Sequence, residues 1–184
     1  MEILANKVVR FANAFNPNGY VDLIEEVSNT CYPLKAVERR PHLTMEIPTL
    51  FSHKDNISAV KLRSRCLSDM LSPIQQYMSI YSIEHMVPKA DFITISNLRW
   101  FSSMEEHVDD KEMESDNFIC MGYVNDNFTG GEVSFPDLGL VYKPSAGDII
   151  IYQAKEKHAV LDLTYGMRYT FGYGLKGPIK PDAV

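Results

Sequence analysis

His107 and Asp109 stand two residues apart, and a second histidine, His158, follows much later in the chain. In an extended strand, residues i and i+2 point to the same face, so the first two side chains can converge on one point. Two imidazoles and one carboxylate leave three positions of an octahedral ion open on one side, which suits Fe(II) that must bind a bidentate co-substrate and dioxygen together. H-x-D alone is a weak signal, because it also occurs in charged, solvated loops such as this one, which contains Glu105.

Arg168 adds a second part to this pattern. It follows His158 by ten residues and shares one face of a predicted strand with Thr170. A guanidinium offers a planar fork of donors that matches a carboxylate, so an inward-facing Arg168 requires an anion. The alternation with Met167 and Tyr169 does not exclude an outward-facing surface residue, and both interpretations stay open at this point.

The elements that must position these residues are short β-type runs that begin at about residue 91. Turn residues such as Gly130, Gly131 and Pro144 separate the runs. About seven strands at a spacing of roughly 8–12 residues predict a sandwich or barrel rather than parallel βαβ units. The predicted strands lie within residues 91–101, 117–125, 131–136, 139–144, 148–154, 158–163 and 167–175.

The first half of the chain predicts helices. One follows the turn at 16–19 and carries Val21, Ile24 and Val27 on one face; a second spans about Ile57 to Tyr81, and Pro73 should break or restart it. The segment between them, 36–56, is interpreted as a loop that contains at most a short strand. We therefore predict a single domain over 1–184, with a helical wrapper over about 1–90 and a β core over about 91–175.

Composition excludes several classes of function. The net charge is -6 and no Lys/Arg run stands out, which disfavours nucleic acid as a partner. No apolar stretch approaches the ~20 residues of a membrane span, so no membrane association is expected. Cys31, Cys66 and Cys120 are odd in number and widely separated, which disfavours a zinc site or a disulfide framework and predicts a reducing, cytoplasmic compartment.

Three segments resemble the prolyl 4-hydroxylase branch of the Fe(II)- and 2-oxoglutarate-dependent oxygenases: "HVD", "MGYVNDNFTGGEVSFPDLGLVYKPSAGDIIIY" and "HAVLDLTYGMRYTFGYGL". The resemblance implies a mainly β fold with flanking N-terminal helices, a double-stranded β-helix of the jelly-roll, cupin-like type. It also implies that His107, Asp109 and His158 are the catalytic metal ligands. Arg168 would grip the far carboxylate of 2-oxoglutarate, and Thr170 would share that carboxylate.

Two positions depart from the family pattern. The family commonly carries a tyrosine some nine residues before the proximal histidine, and this spacing falls on Leu98 here. Either Trp100, otherwise interpreted as a core or site-wall residue, moves into that place, or Tyr123 supplies the hydroxyl to the co-substrate. We favour Tyr123, for which a purely core role is the alternative. The acidic link 110–116 is also shorter than the loop that relatives use for closing over a peptide.

The resemblance implies hydroxylation of a C–H bond coupled to decarboxylation of 2-oxoglutarate to succinate, with a peptidyl proline as the first substrate. Expected cofactors are Fe(II), 2-oxoglutarate and dioxygen, with ascorbate as an optional addition. The alternatives are hydroxylation of a free amino acid or other small molecule, a non-catalytic cupin-like binding module, and a zinc hydrolase. His42, His53 and His85 lack partners at suitable spacing and are interpreted as surface or loop residues. The oligomeric state stays open.

Overall fold

Two antiparallel sheets and two helices make up the computed structural model, which describes residues 1–36, 42–109 and 117–177. The helices are α1 (Tyr20–Thr30) and α2 (Ile57–Tyr81), with a short 3-10 helix at Pro136–Leu138. The strands are β1 (Glu2–Ala5), β2 (Val8–Phe11), β3 (Lys35–Ala36), β4 (His42–Pro48), β5 (Val87–Pro88), β6 (Phe92–Leu98), β7 (Ser102–His107), β8 (Asn117–Tyr123), β9 (Thr129–Gly130), β10 (Val133–Phe135), β11 (Leu140–Tyr142), β12 (Ile149–Gln153), β13 (His158–Tyr165) and β14 (Arg168–Lys176).

The larger sheet has the strand order β1-β2-β12-β8-β14-β6-β4-β3, with β5 paired to β14. The smaller sheet has the order β11-β10-β13-β7, with β9 paired to β13. All seven strands expected after residue 91 are present, and the predicted class, mainly β with N-terminal helices in a double-stranded β-helix, is confirmed. The acidic link 110–116 lies outside the described residues.

The N-terminal half contributes more than helices. Strands β1 to β4 extend both edges of the larger sheet, and β4 is the short strand allowed for in the loop at 36–56. Sequence reasoning missed β1, β2 and β7, because runs of four to six residues with mixed polarity carry little periodic signal. No helix among the described residues is long and apolar enough to cross a membrane.

Helix α2 begins and ends where the sequence predicts, but the expectation that Pro73 breaks it is wrong. Pro73 lies inside a continuous helix of 25 residues. A proline costs a helix one hydrogen bond, yet Met70, Pro73 and Tyr77 all lie on the buried face. Packing of this face against the sheet compensates for the missing bond.

Strand β14 explains how the sheet separates site from core. Side chains alternate between the two faces of a strand. Arg168 and Thr170 line the cavity between the sheets, whereas Tyr169, Phe171 and Leu175 belong to the apolar core that includes residues of both helices. The open question about Arg168 is thereby answered, because its residue surface is only 4% exposed.

A buried ion pair fixes α2 to the end of β4. The Arg63 guanidinium lies 2.8 Å from the Asp55 carboxylate, and its Nη1 also donates to the carbonyl oxygens of Pro48 and Leu50. Burial acts to raise the pKa of Asp55, but hydrogen bonds from the Ser52 backbone, Tyr32 and Arg63 together lower it below its usual 3.8. This pair therefore anchors the end of the strand that begins at His42 to α2.

Replacing Asp55 with asparagine is expected to lower the free energy of unfolding at pH 7 by roughly 3 kcal/mol, because Arg63 is left charged and buried. A carboxyl group whose pKa is lower in the folded than in the unfolded state stabilises the protein at pH values above its usual pKa. This stabilisation is lost as the pH falls through the lowered value. The variant should therefore lose less stability than the parent between pH 7 and about pH 3. Urea unfolding at both pH values measures this, with exposed Asp22→Asn as control; equal stability at pH 7 would contradict the role given to the pair.

Candidate metal and anion site

His107 and His158 present the same ring nitrogen to one point. They are directly opposite each other across the β7–β13 pair, with ring centroids 4.3 Å apart. Nδ1 of His107 lies 2.8 Å from the Glu105 carbonyl oxygen, and Nδ1 of His158 lies 2.9 Å from that of Glu156. A carbonyl only accepts, so each Nδ1 carries a proton, and the Nε2 atom of each ring is the one presented for a ligand bond.

Asp109 completes this group two residues beyond the end of β7. Its Oδ1 lies 3.7 Å from Nε2 of His107, and its Oδ2 lies 3.5 Å from Nε2 of His158. Potential ligand atoms of all three residues fall within 4.8 Å of one another. Two ligand atoms of one ion are at most about 4 Å apart, and both distances from Asp109 fall below this limit, as a metal site requires. The three residues selected from the sequence are thus brought together.

Burial shapes the charge of this cluster. Burial lowers the pKa of His158, and nearby His107 lowers it further, while Asp109 and the Glu156 carbonyl act to raise it. The net effect is a lower pKa, so His158 is neutral at pH 7 and available as a ligand. Two imidazoles and one carboxylate fit a divalent ion that keeps open coordination positions.

The cluster opens into a cavity of about 240 Å³ between the two sheets. Both sheets contribute to its wall, and Arg168 and Thr170 line the same cavity as the three candidate ligands. Much of the remaining wall is apolar and comes from Leu98, Met104, Ile119, Met121, Val133, Ile150 and Val160. A lining that combines apolar side chains with placed polar groups is typical of a small-molecule site.

Arg168 is buried without an acidic partner among the ion pairs of the described residues. Its Nη1 donates to the Gly131 carbonyl at 2.7 Å, while its Nε has no hydrogen-bond partner. Burial lowers the pKa of Arg168, although Tyr123, Tyr152 and Glu132 act to raise it. A buried guanidinium with an unused donor is costly unless an anion binds to it.

Tyr123 contributes a second unpartnered polar atom beside Arg168. The Arg168 guanidinium carbon lies 5.5 Å from the Tyr123 ring centroid, and the buried Tyr123 hydroxyl has no hydrogen-bond partner. Burial raises the pKa of Tyr123 to about 12, against the opposing effect of Arg168, so the hydroxyl keeps its proton and can donate. Thr170 is paired with Tyr123 across β14 and β8, which brings all three sequence-selected polar residues to one region of the cavity.

Tyr152 is a site residue that sequence reasoning missed. It lies on β12, is 1% exposed, and donates to Oδ2 of Asp109 at 3.2 Å. Its hydroxyl oxygen also lies 3.4 Å from Nε2 of His158. The run "DIIIYQA" gives no signal of this contact, because every residue of the strand is buried and neither face is distinguished.

Two other interpretations are wrong. His42, taken for a surface or loop residue, is 4% exposed and lines the cavity, because β4 pairs with β6 and sets it opposite Leu98. Trp100 is 55% exposed rather than buried, since it lies in the turn after β6 and stacks on Phe101. Leu98 lines the cavity in its place, while His53 and His85 are exposed as expected.

No family sequence model matches the chain, and no curated protein sequence matches it. Solved structures do match, and they share a fold. One is an oxidoreductase of the 2OG-Fe(II) oxygenase family from Burkholderia pseudomallei, with 15% identity and a TM-score of 0.67 over 92% of this chain and 84% of that one. The chain has the fold of the 2-oxoglutarate and Fe(II) oxygenases.

Prolyl hydroxylases are among the other structures with this oxygenase fold. The viral collagen prolyl hydroxylase of Paramecium bursaria Chlorella virus-1, in complex with 2-oxoglutarate, is 13% identical with a TM-score of 0.66, over 95% of this chain and 97% of that one. A prolyl hydroxylase from Trichoplax adhaerens, bound to a hypoxia inducible factor peptide fragment, is 14% identical with a TM-score of 0.64, over 93% and 84%. The resemblance seen in the sequence is confirmed at the level of the fold.

Proposed function

We propose that this protein is an Fe(II)- and 2-oxoglutarate-dependent oxygenase that hydroxylates a C–H bond, with a peptidyl proline as the first candidate substrate. The observation that carries the proposal is one cavity with two kinds of polar group. Three candidate metal ligands lie at one place, and a buried guanidinium and phenol with unused donors lie at another. A metal site combined with a carboxylate site is what a metal-chelating dicarboxylate requires.

At the metal site the protein supplies ligands that are oriented in advance. The carbonyls of Glu105 and Glu156 hold the Nδ1 side of His107 and His158, so neither ring must turn to present its Nε2 to a metal. Bound iron with 2-oxoglutarate and dioxygen supplies the oxidising chemistry. No general base is needed, which agrees with a described lining that contains no cysteine nucleophile.

At the carboxylate site Arg168 and Tyr123 have complementary roles. The Nε of Arg168 and the hydroxyl of Tyr123 are both donors, and a carboxylate has two oxygens that accept. Thr170 lines the same region and offers a third hydroxyl. These residues would hold the far carboxylate of 2-oxoglutarate and so orient the co-substrate toward the three ligands. This assignment keeps Tyr123, rather than Trp100, as the replacement for the family tyrosine that Leu98 lacks.

The apolar part of the wall has a separate role. Ile119, Ile150 and Val160 line the cavity and offer water no hydrogen bonds in the space that the co-substrate would fill. A water-poor site strengthens the interaction of Arg168 with a carboxylate and protects reactive species from side reactions. The wall therefore favours a productive oxidation over loss of the oxidant to solvent.

A second candidate substrate class is a small polar molecule, such as a free amino acid. One section of the wall carries small and hydroxyl side chains instead of bulky apolar ones, namely Thr44, Thr94, Ser96, Gly172 and Gly174. A methyl group built at Gly172 would meet nothing nearer than 3.9 Å, so the wall leaves open space there. Hydroxyl groups beside open space suit a ligand that forms hydrogen bonds.

The test of the proposed activity is succinate formation. Purified protein loaded with Fe(II) under anaerobic conditions should convert 2-oxoglutarate to succinate when oxygen is admitted, and one member of a panel should raise the rate at least about tenfold. The panel contains proline-rich peptides and free amino acids, and mass spectrometry follows the product that gains one oxygen atom. The His107→Ala variant is the inactive control.

Failure of metal-loaded, folded protein to form more succinate than His107→Ala would contradict an oxygenase and favour the cupin-like binding module. Stimulation by amino acids but not by peptides would contradict the prolyl assignment alone. The cytoplasmic location stays a prediction; all three cysteines are free thiols, as a reducing compartment requires.

A further inference from the structure

Tyr152 has one proton and two acceptors. Its hydroxyl lies 3.2 Å from Oδ2 of Asp109 and 3.4 Å from Nε2 of His158. A single O–H donates one good hydrogen bond at a time. A metal ion on His158 uses the Nε2 lone pair, so the Asp109 carboxylate would then be the remaining acceptor. Metal binding would therefore direct the hydroxyl to Asp109.

Asp109 needs such a partner more than the two histidines do. Each histidine is held through its second ring nitrogen, whereas the Asp109 side chain is 29% exposed and follows the end of β7. The Asp109 backbone N–H donates to the Ala154 carbonyl at 3.0 Å, which fixes the main chain but not the rotation of the carboxylate. A free carboxylate can bind a metal through one oxygen or through both.

We propose that Tyr152 is a positioning residue that occupies one oxygen of Asp109 and leaves the other oxygen for the metal. The proposal rests on the metal site of the proposed function. Binding through a single oxygen keeps a further coordination position open, and the co-substrate and dioxygen together need every open position. Tyr152 would thus set both the affinity for the ion and the number of positions left on it.

The position of Tyr152 in the fold suits this role. β12 lies between β2 and β8 in the larger sheet, and all five of its residues are buried. The Tyr152 ring makes an edge contact with Phe135 at 5.3 Å between centroids and another with His158 at 5.1 Å. A phenol held by packing on a rigid strand orients a ligand more accurately than a residue on a loop.

Tyr152→Phe removes the hydroxyl and keeps the ring, and we expect the Kd for Fe(II) or Co(II) to rise about tenfold. Calorimetry measures the affinity, and the absorption spectrum of the Co(II) form should shift because the coordination of Asp109 changes. Tyr77→Phe is the matched control. Tyr77 lies on α2, is equally buried and is not part of the cavity lining. Its hydroxyl donates to the Lys7 carbonyl at 2.9 Å.

A double-mutant cycle separates positioning from general packing. In an Asp109→Ala background, Tyr152→Phe should weaken Co(II) binding no further, because its acceptor is gone. Additive effects of the two changes, or a wild-type Kd in Tyr152→Phe, would overturn the role of Tyr152. Absence of metal binding by the parent protein would instead overturn the proposed function.

Discussion

Replacing His158 with alanine should raise the Kd for Fe(II) at least about 100-fold. A site of three protein ligands loses one of them, and no other described side chain joins His107 and Asp109 in a metal-ligating group. Anaerobic calorimetry with Fe(II), or with Ni(II) as a stable substitute, gives the two dissociation constants. The effect should exceed that of Tyr152→Phe, since a ligand is removed rather than its support.

The control for this experiment is His53→Ala, which removes an exposed histidine without a place in the cavity. Its Kd should equal that of the parent protein. His158 is buried, so circular dichroism and the thermal midpoint of the metal-free variant must first establish that it folds. Wild-type metal affinity in a folded His158→Ala protein would refute the ligand assignment.

Replacing Arg168 with methionine should leave Fe(II) binding intact and weaken 2-oxoglutarate binding on the order of 100-fold or more. Methionine fills similar space but removes the charge and the unused Nε donor. Calorimetric titration of the metal-loaded protein with 2-oxoglutarate measures the effect. Because Arg168 is buried and has no acidic partner among the ion pairs of the described residues, loss of its charge should not lower the thermal midpoint of the ligand-free protein.

Arg99→Met is the matched control, since Arg99 is exposed and precedes the turn after β6. Succinate, a dicarboxylate without the keto group, should bind the parent protein more weakly than 2-oxoglutarate does. The affinity for succinate should still depend on Arg168. Equal 2-oxoglutarate affinity in the parent and in Arg168→Met would refute the carboxylate role, while metal binding by His107, Asp109 and His158 would stand.

The sequence identifies these positions because their spacing reflects strand geometry. His107 and Asp109 have the spacing of two that puts side chains on one face of a strand, although Asp109 lies just beyond β7, and Arg168 begins the strand that follows β13, which starts at His158. The strand boundaries after residue 91 were predictable for the same reason, since β-branched and aromatic runs alternate there with glycine and proline turns.

His42 and Tyr152 could not be selected in this way, and the cause differs between them. His42 comes next to Leu98 only through the pairing of β4 with β6, a contact between distant parts of the chain. Tyr152 lies in a strand that is buried on both faces, so its pattern does not tell which side chains face the cavity. The prediction at Pro73 was wrong for a third reason. Burial of one face of α2 outweighs the local preference of proline against a helix.

The pairing of His107 with His158 has a consequence for the lifetime of the protein. In the described part of the chain, β13 is the one hydrogen-bonded neighbour of β7, and their register is irregular at two places. An ion bound to both histidines would act as a cross-link at the end of this edge strand. A ligand that binds only the folded state stabilises it by about 2.7 kcal/mol at a concentration 100 times its Kd. The supply of iron would then govern how readily the strand detaches and becomes accessible to proteases.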